Sequence, residues 1–208
     1  AAVGQAVAGP HLLIVNLALP AKSVKELIAL AKAKPRGLNM ASSGNGNSDH
    51  FAYELFRSIT GAEMVHVPYK GGGQASVDVI SGQMAAYFSG MAGGLPLVRA
   101  GKVRGLAVTT AQRSQIAPDI PTMDEAGVPG YEHVLWNIVF APAATPREIV
   151  ARLDAALVKT VNAPELRERF AGLGVEPHSR TSAEMAAYLT AEIDKYGRIV
   201  RAIGLKIE

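Results

Sequence analysis

The sequence predicts an α/β fold in which strands alternate with helices around a largely parallel sheet. Three observations carry this expectation. Short apolar runs bounded by polar residues or glycine recur along the chain, as buried strands do. Between them lie apolar residues at helical spacing, opened by Ser/Thr…Glu capping boxes and closed by glycine or proline. Three loops rich in serine or glycine each follow a strand and precede a helix, as in repeated strand-helix units.

The first strand is expected at residues 12–15, Leu-Leu-Ile-Val. Ser23 and Glu26 form a capping box, and Val24, Leu27, Ile28 and Ala31 follow at helical spacing until Pro35 stops the helix. A strand over 38–41 runs into a polar glycine loop at 42–48. Beyond it Ala52, Leu55, Phe56 and Ile59 mark a helix face that Gly61 closes. A strand at 64–67, a helix holding 77–80 and ending near Gly82, a strand at 85–88, a short helix at 95–100 and a strand at 103–109 follow. Proline and glycine punctuate 118–130, with a second capping box at Thr122 and Glu125. An apolar strand spans 134–140. Thr145 as N-cap, Pro146 at the first helical position and Glu148 at the third then open a helix to about residue 161. Pro164 opens another that Gly172 ends, and Thr181 with Glu184 caps the last helix, whose Leu189, Ile193, Tyr196, Val200 and Ile203 form one stripe.

At 208 residues, 49% hydrophobic and 19% charged, the chain is long enough for one large or two small domains. Its net charge of +3, from 21 Lys+Arg against 18 Asp+Glu, is too small and scattered to argue for nucleic acid. The absence of cysteine excludes disulfides, cysteine-ligated zinc and cysteine nucleophiles. The five histidines show no His-Glu-x-x-His motif and no i, i+4 pair, so no metal site is signalled. The segment 1–9 lacks the charged start of a signal peptide. The apolar run 12–21 is too short to span a bilayer and holds Asn16 and Pro20. Ser48, Asp49 and His50 are consecutive and point in different directions, so they make no triad. His50 is expected to orient its loop or pack locally rather than catalyse, His66 to be a hydrogen-bonded strand residue, and Trp136 to pack in the core or at a hinge.

The loop at 42–48 is the most informative feature. Ligands of open α/β sheets collect at the strand-to-helix edge. Gly44 and Gly46 allow sharp turning, and the free N–H groups and dipole of the next helix favour an anion. Serine and asparagine add donors without charge. A tight turn with Asn or Ser capping the helix is the plain alternative. Neither the dinucleotide fingerprint nor the P-loop is present. The loops at 68–73 and 89–94 occupy equivalent places; Tyr69 could cover a ligand and offer its hydroxyl, with a flexible strand-to-helix connection as the equal alternative. Convergence of all three on one edge weighs more than any loop alone.

The stretch 38–50, Leu-Asn-Met-Ala-Ser-Ser-Gly-Asn-Gly-Asn-Ser-Asp-His, followed by Glu-Leu-Phe at 54–56, resembles the Bug family, the extracytoplasmic solute receptors of tripartite tricarboxylate transporters. So do His-Val-Pro-Tyr-Lys-Gly at 66–71, Gly-Lys-Val-Arg-Gly-Leu-Ala-Val-Thr at 101–109, Pro-Asp-Ile-Pro-Thr at 118–122, Pro-Gly-Tyr-Glu at 129–132, Trp136, and the ending at 204–208. The resemblance implies a type II periplasmic-binding-protein-like, two-domain fold that closes on a small carboxylate. It implies no catalysis, no cofactor and no metal, periplasmic localisation, and transporter subunits as partners. Carried over residue by residue, it implies ligand binding by Ser42, Ser43, Gly44, Gly46, Asn47 and Ser48, often through water, with Tyr69 and Ser89 in further pocket loops. Asn47 stands where Ser or Thr is usual, and Gln74 where proline is usual. Family members carry further chain before the position of Ala1, including a Pro-Gly-Gly loop that supplies the other half of the site. The expected organisation is a first-domain segment and crossing strand at 1–17, a complete second domain at 18–130, and the returning strand and helices of a partial first domain at 131–208. The last helix's stripe would then lack its sheet partner, which invites a homodimer or domain swap. A truncated receptor serving as an interaction module is the alternative function.

Overall fold

The computed structural model describes residues 1–172 and 175–204. The family-like ending expected at 204–208 lies, beyond Gly204, outside the described residues. The chain divides into two compact units. Among the described residues, the larger comprises 10–134 with 203–204, and the smaller comprises 1–9 with 135–172 and 175–202.

In chain order the elements of the larger unit are the end of β1 (Ala2–Val15), α1 (Val24–Ala33), β2 (Asn39–Ser42), α2 (Ser48–Thr60), β3 (Val65–Pro68), α3 (Gly72–Ser81), β4 (Ala86–Gly90), α4 (Met91–Arg99) and β5 (Arg104–Val108). Strand order is β3-β2-β4-β1-β5. β2 is parallel to β3 and β4, whereas β1 is antiparallel to β4 and β5. The sheet is therefore mixed, a correction to the largely parallel sheet expected. Several elements separate β1 from β4 and β5 along the chain, so no single strand-helix-strand crossover sets its direction, and β1 runs opposite to both.

Both faces of β1 are covered, which is why residues 12–15 read as a continuous apolar run. Leu12 and Ile14 pack with Ala41, Val79, Tyr87, Met91 and Val108. On the neighbouring strand, Phe88 meets Phe56 of α2 at 6.0 Å and stacks on Tyr131 at 6.2 Å. Ser23 caps α1 through Glu26 N–H, and Gly61 ends α2 in the left-handed conformation at φ 66°. The Thr122–Glu125 box forms reciprocally, at 2.9 and 3.1 Å. Only a turn follows it, since Gly127, at φ 99°, breaks away.

The smaller unit holds the start of β1, β6 (Val134–Phe140), α5 (Arg147–Val161), α6 (Pro164–Gly172), β7 (Glu176–Arg180) and α7 (Ser182–Ile203). β6 and β7 both pair with β1, so β1 is far longer than the four residues expected. Three details differ from the sequence reading. Pro146 itself is the N-cap of α5, without a side-chain cap from Thr145. β7 was not expected. On α7 the buried face is Met185, Glu192 and Ile199, while Ile193 is 68% exposed; the seven-residue spacing of the buried set runs beside the expected stripe. The side chain of Ile203 lies outside the described residues.

Candidate functional site

Because β3 and β4 are both parallel to β2, the C-terminal ends of all three strands lie on one sheet edge. Their last residues, Pro68, Ser42 and Gly90, lead toward α3, α2 and α4 respectively. The three loops singled out in the sequence therefore share that edge. β1 brings His11 there too, opposite Gly90.

The loop before α2 is held by a buried network. Ser43 N–H donates to Asp49 Oδ2 at 2.7 Å, and Tyr87 O–H donates to the same oxygen at 2.9 Å. The other oxygen, Oδ1, accepts His50 N–H at 2.9 Å. Gly46 N–H donates to His50 Nδ1 at 3.0 Å, so that nitrogen carries no proton. His50 Nε2 lies 3.6 Å from Glu54, which pairs with Arg57. The His50 ring stacks on His66 at 3.9 Å with an interplanar angle of 4°. His66 Nε2 lies 2.6 Å from Ser42 Oγ, which also donates to Gly44 O and accepts Gly44 N–H. Two stacked imidazoles thus hold the two ends of one loop. Burial, then the neighbouring His50, pushes His66 down to about 4, which keeps it neutral at pH 7. Burial and the Asp49 carboxylate push the Tyr87 phenol far up, so it stays a donor.

Gly44, at φ 151°, meets the demand for a turn no L side chain readily makes. Asn47 is the N-cap of α2 by its backbone but makes no side-chain cap; its Nδ2 donates to Ser43 Oγ at 3.0 Å. The N–H groups of Ser48 and Asp49 therefore have no hydrogen-bond partner among the described residues. With the helix dipole, they form a small donor cluster for an anion. Ser48 Oγ lies 2.9 Å from His133 Nε2.

Six sequence-selected residues, Ser42, Ser43, Gly44, Gly46, Asn47 and Ser48, lie together in this loop. Tyr69 joins it through its backbone, whose N–H donates to Ser42 O at 2.9 Å. Its hydroxyl is committed to Asp78 at 2.5 Å, and desolvation with that carboxylate pushes its phenol up to about 12. Ser89 is buried, and its hydroxyl donates to Gly90 O at 3.2 Å beneath α4. Asp49, Tyr87 and His133 were not selected. Asp49 alone left a local signal, an acid in the first helical turn after a glycine loop; Tyr87 and His133 reach the loop from 38 and 85 residues away.

Among the described residues no helix is long and apolar enough to cross a membrane, and no group of three His, Cys, Asp or Glu is placed to hold a metal. The chain is similar to the protein BugT of Bordetella pertussis, 33% identical over 199 residues, 96% of this chain and 61% of that protein. It therefore spans about three-fifths of that relative. Among solved structures, an R. palustris protein bound to adipate matches with a TM-score of 0.85 and 35% identity, over 98% of this chain and 68% of that one. The periplasmic binding protein BugD matches at 0.82 and 26%, over 100% and 70%. MatC from Rhodopseudomonas palustris, solved with malate, matches at 0.81 and 28%, over 96% and 69%. The shared fold is that of periplasmic binding proteins, and these relatives are receptors rather than enzymes. Residues 1–205 match the family model described as the tripartite tricarboxylate transporter family receptor, and the chain belongs to that family.

Proposed function

We propose that this chain is the solute-recognising part of a periplasmic receptor that captures a small dicarboxylate and delivers it to a tripartite transporter. The observation that carries the reading is the loop before α2, where Ser48 and Asp49 N–H groups stand unpaired above a buried network anchored on Asp49. A carboxylate there gains two backbone donors and the positive end of α2. Ser43, Asn47 and Ser48 add polar side chains, Gly44 and Gly46 let the backbone approach, and Ser42 braces the turn. Tyr69 contributes its ring and backbone, and Ser89 shapes the neighbouring loop. The adipate and malate in the relatives' structures support a dicarboxylate. The homodimer or swap expected from the last helix gains no support from these relatives.

Isothermal titration with adipate, malate, succinate and glutarate tests the reading. One or more should bind, and a Ser43→Ala, Asn47→Ala double variant should bind about tenfold more weakly, the size expected for losing one hydrogen bond to a charged group. Unchanged affinity in the double variant would remove the loop from the site.

A further inference from the structure

Ser48 is the first residue of α2, and its hydroxyl faces an imidazole. Its Oγ lies 2.9 Å from Nε2 of His133. His133 is 2% exposed, and both its backbone and its ring have neighbours that place it. Its N–H donates to Thr109 O at 2.9 Å. Thr109 in turn is tied to β1, since its N–H donates to His11 O and its Oγ1 accepts His11 N–H at 2.8 Å. The His11 ring lies 5.1 Å from the His133 ring, tilted by 51°. Nothing in the glycine loop itself requires this histidine.

We propose that His133 is a specificity-determining residue for the solute site, acting through Ser48: its Nε2–H donates to Ser48 Oγ and leaves the serine proton for a carboxylate oxygen of the solute. The inference rests on the reading that the α2 N-terminus holds a carboxylate. A serine hydroxyl has one proton and an imidazole nitrogen either gives or takes one. If Ser48 donates to His133, it offers only lone pairs beside the two unpaired N–H groups, and it repels an anion. If His133 donates to Ser48, the serine becomes a third donor pointing at the same oxygen cluster. The second arrangement alone fits a carboxylate. His11 presents no competing charge, because burial pushes it down to about 4 against the pull of Asp49. With Nε2–H as the donor, the pair favours solutes whose end accepts hydrogen bonds over those whose end donates them.

The test is a double-mutant cycle read by titration with whichever dicarboxylate binds the unaltered chain. His133→Leu should weaken binding about tenfold, the effect of one charge-assisted hydrogen bond. His133→Gln, whose amide N–H reaches the same place, should stay within about threefold. In a Ser48→Ala background His133→Leu should cause no further loss, because a residue acting only through Ser48 has nothing left to act on. Thermal melts of each variant separate weak binding from poor folding. Full loss in the Ser48→Ala background, or unchanged affinity in His133→Leu, would overturn the role of His133 while leaving the carboxylate reading intact. If the unaltered chain binds none of the four dicarboxylates, the carboxylate reading fails and His133 falls with it.

Discussion

Asp49 is the residue on which the loop before α2 depends. It is buried, and its two oxygens accept donors from the loop, its own helix and β4. Asp49→Asn replaces one accepting oxygen with a donor, so either Ser43 N–H and Tyr87 O–H or His50 N–H lose their acceptor. Leaving such donors buried should cost about 2 kcal/mol and lower the melting temperature by about 4–8 °C; an unchanged melt would mean the network is incidental. Residues of the loop were legible because their signal is local: glycines where the chain must turn, and Ser and Asn where a helix begins. Tyr69 shows the limit. Its hydroxyl looked available for a solute but is held by Asp78, nine residues on, nearly two turns into α3. Only the helix geometry reveals that the two side chains meet.

Helix starts and stops were read well where a side chain caps the backbone directly. At α1 the Ser23 hydroxyl accepts Glu26 N–H at 3.2 Å, and Glu26 reaches back to Lys22 N–H at 2.5 Å, one residue earlier than a standard capping box. Ser23→Ala should cost about 1 kcal/mol and about 2–4 °C in a thermal melt, with dicarboxylate affinity unchanged. A loss of affinity would show that α1 couples to the loop. Pairing partners decided the elements that were missed. The segment Glu-Pro-His-Ser-Arg has little intrinsic strand preference and a proline, yet its backbone pairs antiparallel with β1, Gln5 opposite Arg180 and Ala8 opposite Glu176. Strand formation there is a property of the partner edge rather than of the segment. The same holds for the first half of β1, whose extension depends on β6 and β7. At α5, Pro146 accepts the cap role that the sequence assigned to Thr145, because the Pro carbonyl already receives Ile149 and Val150 N–H.

At the scale of the whole molecule, a mild net charge of +3 leaves pH stability to individual buried groups. Two histidines matter most. Burial holds His11 down at about 4 despite Asp49, and burial with the adjoining His50 holds His66 at about 4. An unfolded histidine titrates near 6.5. As pH falls from about 6.5 toward 4, the unfolded chain takes up protons that the folded chain refuses, so stability drops over that window and levels once both states are protonated. For fully buried His11 the complete effect is about 3 kcal/mol; His66, half-buried, adds less. Thermal melts should therefore be flat above pH 7 and fall steadily between pH 6.5 and 4, the fall beginning before carboxylates protonate. His11→Gln, which cannot take up a proton, should flatten much of that fall while leaving the melt at pH 7.5 within a few degrees. A solute bound at the α2 loop should offset part of it, since binding to the folded chain alone stabilises it. A melting temperature that stays level from pH 7 to pH 4.5, or a fall that His11→Gln leaves untouched, would show that the buried imidazoles do not control the acid limb.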